Sequence, residues 1–220
     1  MRLTRENSVE AQKRLRNQIR EGEHLSQDFK FAINNSKKIA ISLSAFANTA
    51  GGKLLIGVKD NGKIAGVHAE DEVHMMEGAA DLYCDPAVPL DMCIIELEDG
   101  KEVLEAEVMP MPGAAVRAFT PEGQWRAFVR DADENFLASP LHLELWKREK
   151  KKPTNNPSTF GDEEKAFLRL LAERDEWRLN ALIRKSGMPR KRALRHLGDF
   201  LYWELLELFR SDNEYRLRSK

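Results

Sequence analysis

The sequence predicts an α+β fold in two domains: a larger one of mixed helices and strands, then a smaller one of three helices closed by a hairpin. Three observations carry this. Segments with a helical apolar period are interleaved with runs that alternate apolar and polar residues. The charge is split, about −8 over residues 1–146 and about +7 over the remainder, although the whole chain is only −1. Between the two halves lies KREKKK at 147–152, followed by PTNNPSTFG, where proline fixes φ and withholds a donor. The expected boundaries are therefore 1–146, a linker over 147–161, and 162–220.

The elements of the first domain follow in order. Residues 1–21 place Val9, Leu15 and Ile19 among many charges and read as a weakly amphipathic helical arm. KKIAISLSAFANTAGG puts Ile39, Leu43, Phe46 and Ala47 on one helical face, with Asn35 or Ser36 as cap and Gly51-Gly52 as the stop. KLLIGV is a strand, and Asp60-Asn61-Gly62 before KIAGV reads as a hairpin turn. Residues 70–83 read as a helix. Strands follow at Met92–Leu97, around Leu104–Val108, near Ala115–Phe119 and at Trp125–Arg130, giving one mixed or mostly antiparallel sheet.

The second domain opens with DEEKAFLRLLAERDEW, a helix whose acidic first turn suits its dipole. RLNALIRKSG is a short second helix, stopped at Ser186-Gly187. Pro189 opens a third helix, on which Leu194, Leu197, Leu201 and Leu205 recur at helical spacing. ELLELFRSDNEYRLR reads as two strands around Ser211-Asp212-Asn213. Three helices and a hairpin is the winged helix-turn-helix plan. Between Arg178 and Gly198 there are seven Lys or Arg and no Asp or Glu. Arg190, Lys191, Arg192 and Arg195, with Lys185 before them, crowd the helix that would enter a DNA groove.

With 42% hydrophobic and 32% charged residues, the chain can bury a core, which excludes a disordered chain. No apolar run approaches the ~20 residues of a membrane span, and MRLTRENSVE has no apolar leader core. The expectation is a cytoplasmic protein, with Cys84 and Cys93 as reduced, buried thiols. No histidine sits at metal-ligand spacing with a partner.

Three ordered motifs resemble the AlbA-like domain of Schlafen proteins and many bacterial regulators, over roughly residues 10–146. They are Glu23-His24-Leu25-Ser26-Gln27-Asp28-Phe29-Lys30, then ISLSAFANTAGGKLLIGVKDNGKIAGV, then WRAFVRDADENFLASP. Asp28 stands where the family usually has Glu. The resemblance implies a bacterial DNA-binding protein, with an AlbA-like mixed-sheet domain ahead of the winged-helix-like one, and paired chains in a homodimer. It also implies two alternatives. One is a metal-dependent nuclease in which Glu23, Asp28 and Asp60 hold Mg²⁺ or Mn²⁺. The other is a nucleotide (ATP)-binding regulatory module.

The residues themselves bear on each reading. Clustered carboxylates can hold a hard cation that activates water at a phosphodiester, but Asp60 also suits a tight turn. Asn48, Gly51 and Gly52 are candidates for a phosphate turn, although closing a helix is the commoner task of such glycines. Arg126, Phe128 and Arg130 share a strand face, with Arg117 and Phe119 nearby, a pattern that suits a nucleic-acid backbone and bases. The reading is thus a DNA-binding transcriptional regulator, RNA being the other possible polymer, with no cofactor outside the nuclease alternative. Apolar arm residues and Tyr202, Trp203 and Phe209 are its candidate dimer surfaces.

Overall fold

The interleaved periods produce seven helices and twelve strands in a computed structural model that describes residues 2–151 and 160–220. The chain divides into two units, Met1–Leu137 and Ala138–Lys220.

The first unit runs β1 (Arg2–Glu6), α1 (Val9–Glu21), β2 (Gln27–Lys30), α2 (Ser36–Ala47), β3 (Gly52–Ile56), α3 (Ala69–Leu82), β4 (Cys84–Asp85), β5 (Leu90–Glu96), β6 (Glu102–Val108), β7 (Arg117–Phe119), β8 (Trp125–Asp131) and β9 (Glu134–Leu137). It holds two sheets rather than the single one expected. The first is mixed, in the order β1-β5-β6-β3-β2, with β1 parallel to β5 and β2 parallel to β3. The second is antiparallel, in the order β4-β7-β8-β9. The reason lies in α2, where Ile39, Ala40, Leu43, Ala45, Phe46 and Ala47 are all buried. A helix apolar around most of its circumference needs cover on more than one side. It packs on β6 of the first sheet and on β7 and β8 of the second.

The opposite face of the first sheet is covered by α1. Ala11 and Leu15 are fully buried there against Leu55, Val58, Ile95 and Val103. The predicted arm is therefore part of the domain: residues 2–6 form an edge strand, and Leu15 is core rather than a free apolar surface. Val9 alone of the three arm positions is well exposed. Asp60-Asn61-Gly62 does turn the chain, with Gly62 at φ 76° and the Gly62 N–H bonded to Lys59 O at 2.7 Å. However, KIAGV makes only the isolated bridge Val58–Ile64. A long hairpin is barred because β2 and β6 already occupy both edges of β3.

The second unit runs α4 (Pro140–Lys151), α5 (Asp162–Leu171), β10 (Trp177–Arg178), α6 (Leu179–Ser186), α7 (Arg190–Tyr202), β11 (Leu206–Ser211) and β12 (Glu214–Ser219). Its antiparallel sheet has the order β10-β12-β11. Asp212 (φ 52°) and Asn213 (φ 61°) give the β11–β12 hairpin the two left-handed residues that a primed turn needs. Phe167, Leu182, Leu197, Phe200 and Leu217 centre its core. The helix α4 was not anticipated. It carries Lys147–Lys151 out of the expected linker and packs on α7; of the rest of that linker, residues 152–159 lie outside the described residues and Gly161 is the N-cap of α5. No helix among the described residues is long and apolar enough to cross a membrane.

Candidate nucleic-acid interface

The first candidate corner is built where β2 leaves α1. Glu23 accepts a hydrogen bond from the Phe29 N–H (2.9 Å) and lies beside Asp28; partial burial, then the neighbouring Asp28, hold its carboxyl above the usual range. Asp28 is buried, with Lys30 Nζ 2.6 Å from Oδ2 and an Arg130 Nη2 3.5 Å from Oδ1. Asp60 is exposed on its turn. Among the described residues, no group of three His, Cys, Asp or Glu side chains is placed to hold a metal ion. The structure brings Glu23 and Asp28 together and leaves Asp60 out, and two cations already face the Asp28 carboxylate. These residues do not fit a shared Mg²⁺ or Mn²⁺ site.

Arg130 is not a surface cation. Its side chain is fully buried. Nε donates to His24 O (3.1 Å), Nη1 to Asn135 Oδ1 (3.1 Å) and Nη2 to Gln27 O (2.9 Å), while the guanidinium lies 4.7 Å from the Phe46 ring centre. Phe128, on the same face of β8, packs on the main core. The strand face read as an open aromatic–basic groove is the face that packs on α2, and only Arg126, at the start of β8, remains exposed. Arg117 pairs with Asp85.

Asn48 and the two glycines are likewise absorbed by the architecture. Asn48 Nδ2 donates to Val116 O (2.7 Å) and Phe128 O (2.9 Å), and its Oδ1 accepts from the Val116 N–H (2.8 Å). The amide thus ties the end of α2 to β8 and to the residue preceding β7. Gly51, at φ 73°, donates its N–H to Phe46 O (2.9 Å) and closes α2. A Cβ on Gly51 would meet Val108 O at 2.6 Å, and one on Gly52 would meet Phe46 at 2.3 Å. Both glycines serve close packing, and the Asn48 amide and the Gly51 N–H are already bonded within the domain.

The second candidate surface is the end of α6 and the start of α7. Lys185, Arg190, Lys191, Arg192 and Arg195 are all exposed. Arg190 donates to Asn180 Oδ1 (2.8 Å) and Arg192 pairs with Glu163 (3.2 Å). Arg184, Lys185, Lys191 and Arg195 have no carboxylate partner among the described residues. Lys191 and Arg195 are four residues apart and so project from one helix face. The first turn of α7 holds three cations and no acid, whereas α3 and α5 each begin with three acids within their first turn. Cations at a helix N-terminus oppose the macrodipole, by about 0.3–1 kcal/mol each in the usual surface case.

The position of α7 is held by residues that the sequence did not single out. Arg148 of α4 donates from Nε to Asp199 Oδ1 (2.8 Å), from Nη1 to Glu144 O (3.0 Å) and from Nη2 to Arg195 O (2.6 Å). Gly198 lets the helices approach: a Cβ there would lie 2.9 Å from both Arg148 Cζ and Glu144 Cβ. The signal was present as a lone glycine inside an otherwise regular helix. Arg148, one of the cations of KREKKK, is therefore a brace for α7. His196 is enclosed by Glu163 and Glu164 at 3.6 and 3.4 Å and by Phe167 and Phe200. Cys84 and Cys93 are buried free thiols, and burial pushes Cys84 up to about 12.

Set against known proteins, residues 23–139 match the family described as Schlafen, AlbA_2. The chain belongs to that family, whose domains generally bind nucleic acids. No curated protein matches the chain. Among solved structures, the crystal structure of the DIP2311 protein from Corynebacterium diphtheriae is similar over 79% of this chain, at 17% identity and a TM-score of 0.45. This chain spans 32% of that protein's length.

Proposed function

We propose that the chain is a DNA-binding transcriptional regulator, in which the second unit is a winged helix that lays α7 in the major groove. The observation that carries this reading is the first turn of α7. Three cations stand there against the helix dipole, beside Lys185, and Lys191 and Arg195 have no carboxylate partner among the described residues. An arrangement that is unfavourable in the isolated protein becomes favourable against phosphates, because the exposed N–H groups, the dipole and the side chains all then attract the same anion. The β11–β12 hairpin supplies the wing in this reading. Two chains acting as a homodimer would present two α7 helices to paired half-sites, and the half-buried Tyr202, Trp203 and Phe209, none of them in the domain core, are the surface for it.

The nuclease alternative finds no support in the separation of Asp60 from Glu23 and Asp28. Nucleotide binding finds none at Asn48, Gly51 or Gly52. The test is equilibrium binding of the full chain to duplex DNA and RNA, with and without Mg²⁺. The expected result is salt-sensitive duplex DNA binding that is independent of Mg²⁺ and leaves the polymer uncut. Metal-dependent cleavage, or no duplex binding at low salt, would overturn the proposal.

A further inference from the structure

We propose that the first unit carries a separate nucleic-acid site, a row of three aromatic rings that stacks the bases of a single strand. Tyr83 follows α3, Phe119 ends β7 and Trp125 begins β8. The Tyr83 and Phe119 rings are nearly parallel, at 15° with centres 6.4 Å apart, and Phe119 meets Trp125 at 5.3 Å with the indole tilted by 54°. Trp125 is 44% exposed, an unusual position for so large an apolar surface. The row is set by the backbone: Phe119 and Trp125 are register partners across β7–β8, and the Phe119 N–H donates to Tyr83 O (2.9 Å). A platform already in place gives up little freedom when a ligand binds.

Charge selects the ligand. Lys37 Nζ lies 4.9 Å from the Phe119 ring centre and 5.6 Å from that of Tyr83. Beside it is a hollow of about 280 Å³ lined by Asn35, Ser36, Lys37, Tyr83 and Pro121. Lys37 and Lys38 have no carboxylate partner among the described residues. Asp85, two residues after Tyr83, is paired with Arg117. Cations next to stacked rings match a polymer that offers flat bases and phosphates together. A base arriving on the rings displaces Lys37 from their faces, and its flexible stem then carries the ammonium to the adjacent phosphate. A duplex keeps its base faces inside its own stack, so the occupant is single-stranded DNA or RNA.

The site is independent of the α7 proposal, and the experiment keeps the two apart. A fluorescent single strand of about 12 mixed-sequence nucleotides, within the range of known single-strand sites, is titrated with the full chain in a Lys191→Ala/Arg195→Ala background. That background takes away the two α7 cations without a carboxylate partner, and every single-strand comparison below is made within it. Adding Trp125→Ala is expected to weaken single-strand binding about tenfold, and Lys37→Glu to weaken it comparably. Trp125→Phe should retain most of the affinity. Duplex binding measured in the otherwise native chain should be unchanged by all three. Trp125→Ala gives up one cross-strand aromatic contact, so a small fall in melting temperature is expected with the far-ultraviolet spectrum of the folded chain retained. No single-strand binding in the background chain would overturn the proposal. So would equal affinity in Trp125→Ala and Lys37→Glu to that of the background chain, or binding of a proline-rich peptide to the row in place of the strand.

Discussion

Arg130 in the first unit and Arg195 in the second carry the same group to opposite ends. The Arg130 guanidinium is buried and spends its donors on two backbone carbonyls and an amide, with an aspartate and a phenylalanine ring beside it. Arg195 is exposed, has no carboxylate partner among the described residues, and is tied only through its carbonyl, by Arg148. A cation that the protein has already satisfied is architecture, and one held in place with its charge unspent is available to a ligand. The two arginines therefore predict opposite phenotypes.

The largest expected effect is on the buried side. Arg130→Ala strands Asp28 with only Lys30 beside it, and breaking one partner of a buried pair costs about 3–5 kcal/mol. Urea unfolding followed by circular dichroism should show the first unit's midpoint collapse. A stability close to that of the unaltered chain would mean that Arg130 is not the tie described.

The next effect tests the second unit by pH. Burial pushes His142 down to about 4, and its Nδ1 faces the Ser139 N–H (3.0 Å) and hydroxyl (2.9 Å). Its folded value is below the ordinary 6.5, so the unfolded chain takes up this proton first as the pH falls. The contribution is complete above pH 6.5 and is lost between 6.5 and about 4, amounting to at most about 3 kcal/mol. His142→Gln should flatten this acid limb in unfolding measurements made at successive pH values.

A smaller loss is expected from Gly198→Ala. The added methyl meets Glu144 Cβ and Arg148 Cζ at 2.9 Å. Overpacking costs about 1–3 kcal/mol against a helix-propensity gain of about 1 kcal/mol, so the net is a modest fall in melting temperature. An increase would show that α4 and α7 separate easily. The smallest effect is nil: Asp60→Asn should leave stability unchanged, and Mn²⁺ should not raise the melting temperature, since a bound ion would do so by mass action.

Much of this contrast was legible in the sequence, but unevenly. The α7 cations were visible because surface charges keep their local pattern: seven basic residues without an acid form a one-dimensional signal. Helices α2, α3, α5, α6 and α7 were legible from apolar period and caps, as was the Asp212-Asn213 hairpin. Arg130 was misread because its face of β8 packs on α2. Period 2 shows which residues share a face, not which face α2 will occupy. The second sheet was missed for the same reason, since nothing local says that α2 separates two sheets. Helix α4 was hidden because its lysine-rich end resembles a solvated linker. The carboxylates were found by motif, but their separation depends on the parallel pairing of β2 with β3, which sets Asp28 opposite Leu54 and leaves Asp60 beyond the end of the pair, a long-range fact.

The most direct test of the central claim, that unspent charge on α7 is what meets DNA, is the salt dependence of duplex binding. Affinity of the full chain would be measured over a range of salt concentrations for the unaltered protein, Lys191→Ala/Arg195→Ala, and Arg126→Ala as a control. The account predicts that the double variant weakens binding and lowers the log–log slope by about two, one for each phosphate no longer neutralised, while Arg126→Ala leaves both unchanged. An unaltered affinity and slope in a folded double variant would contradict it.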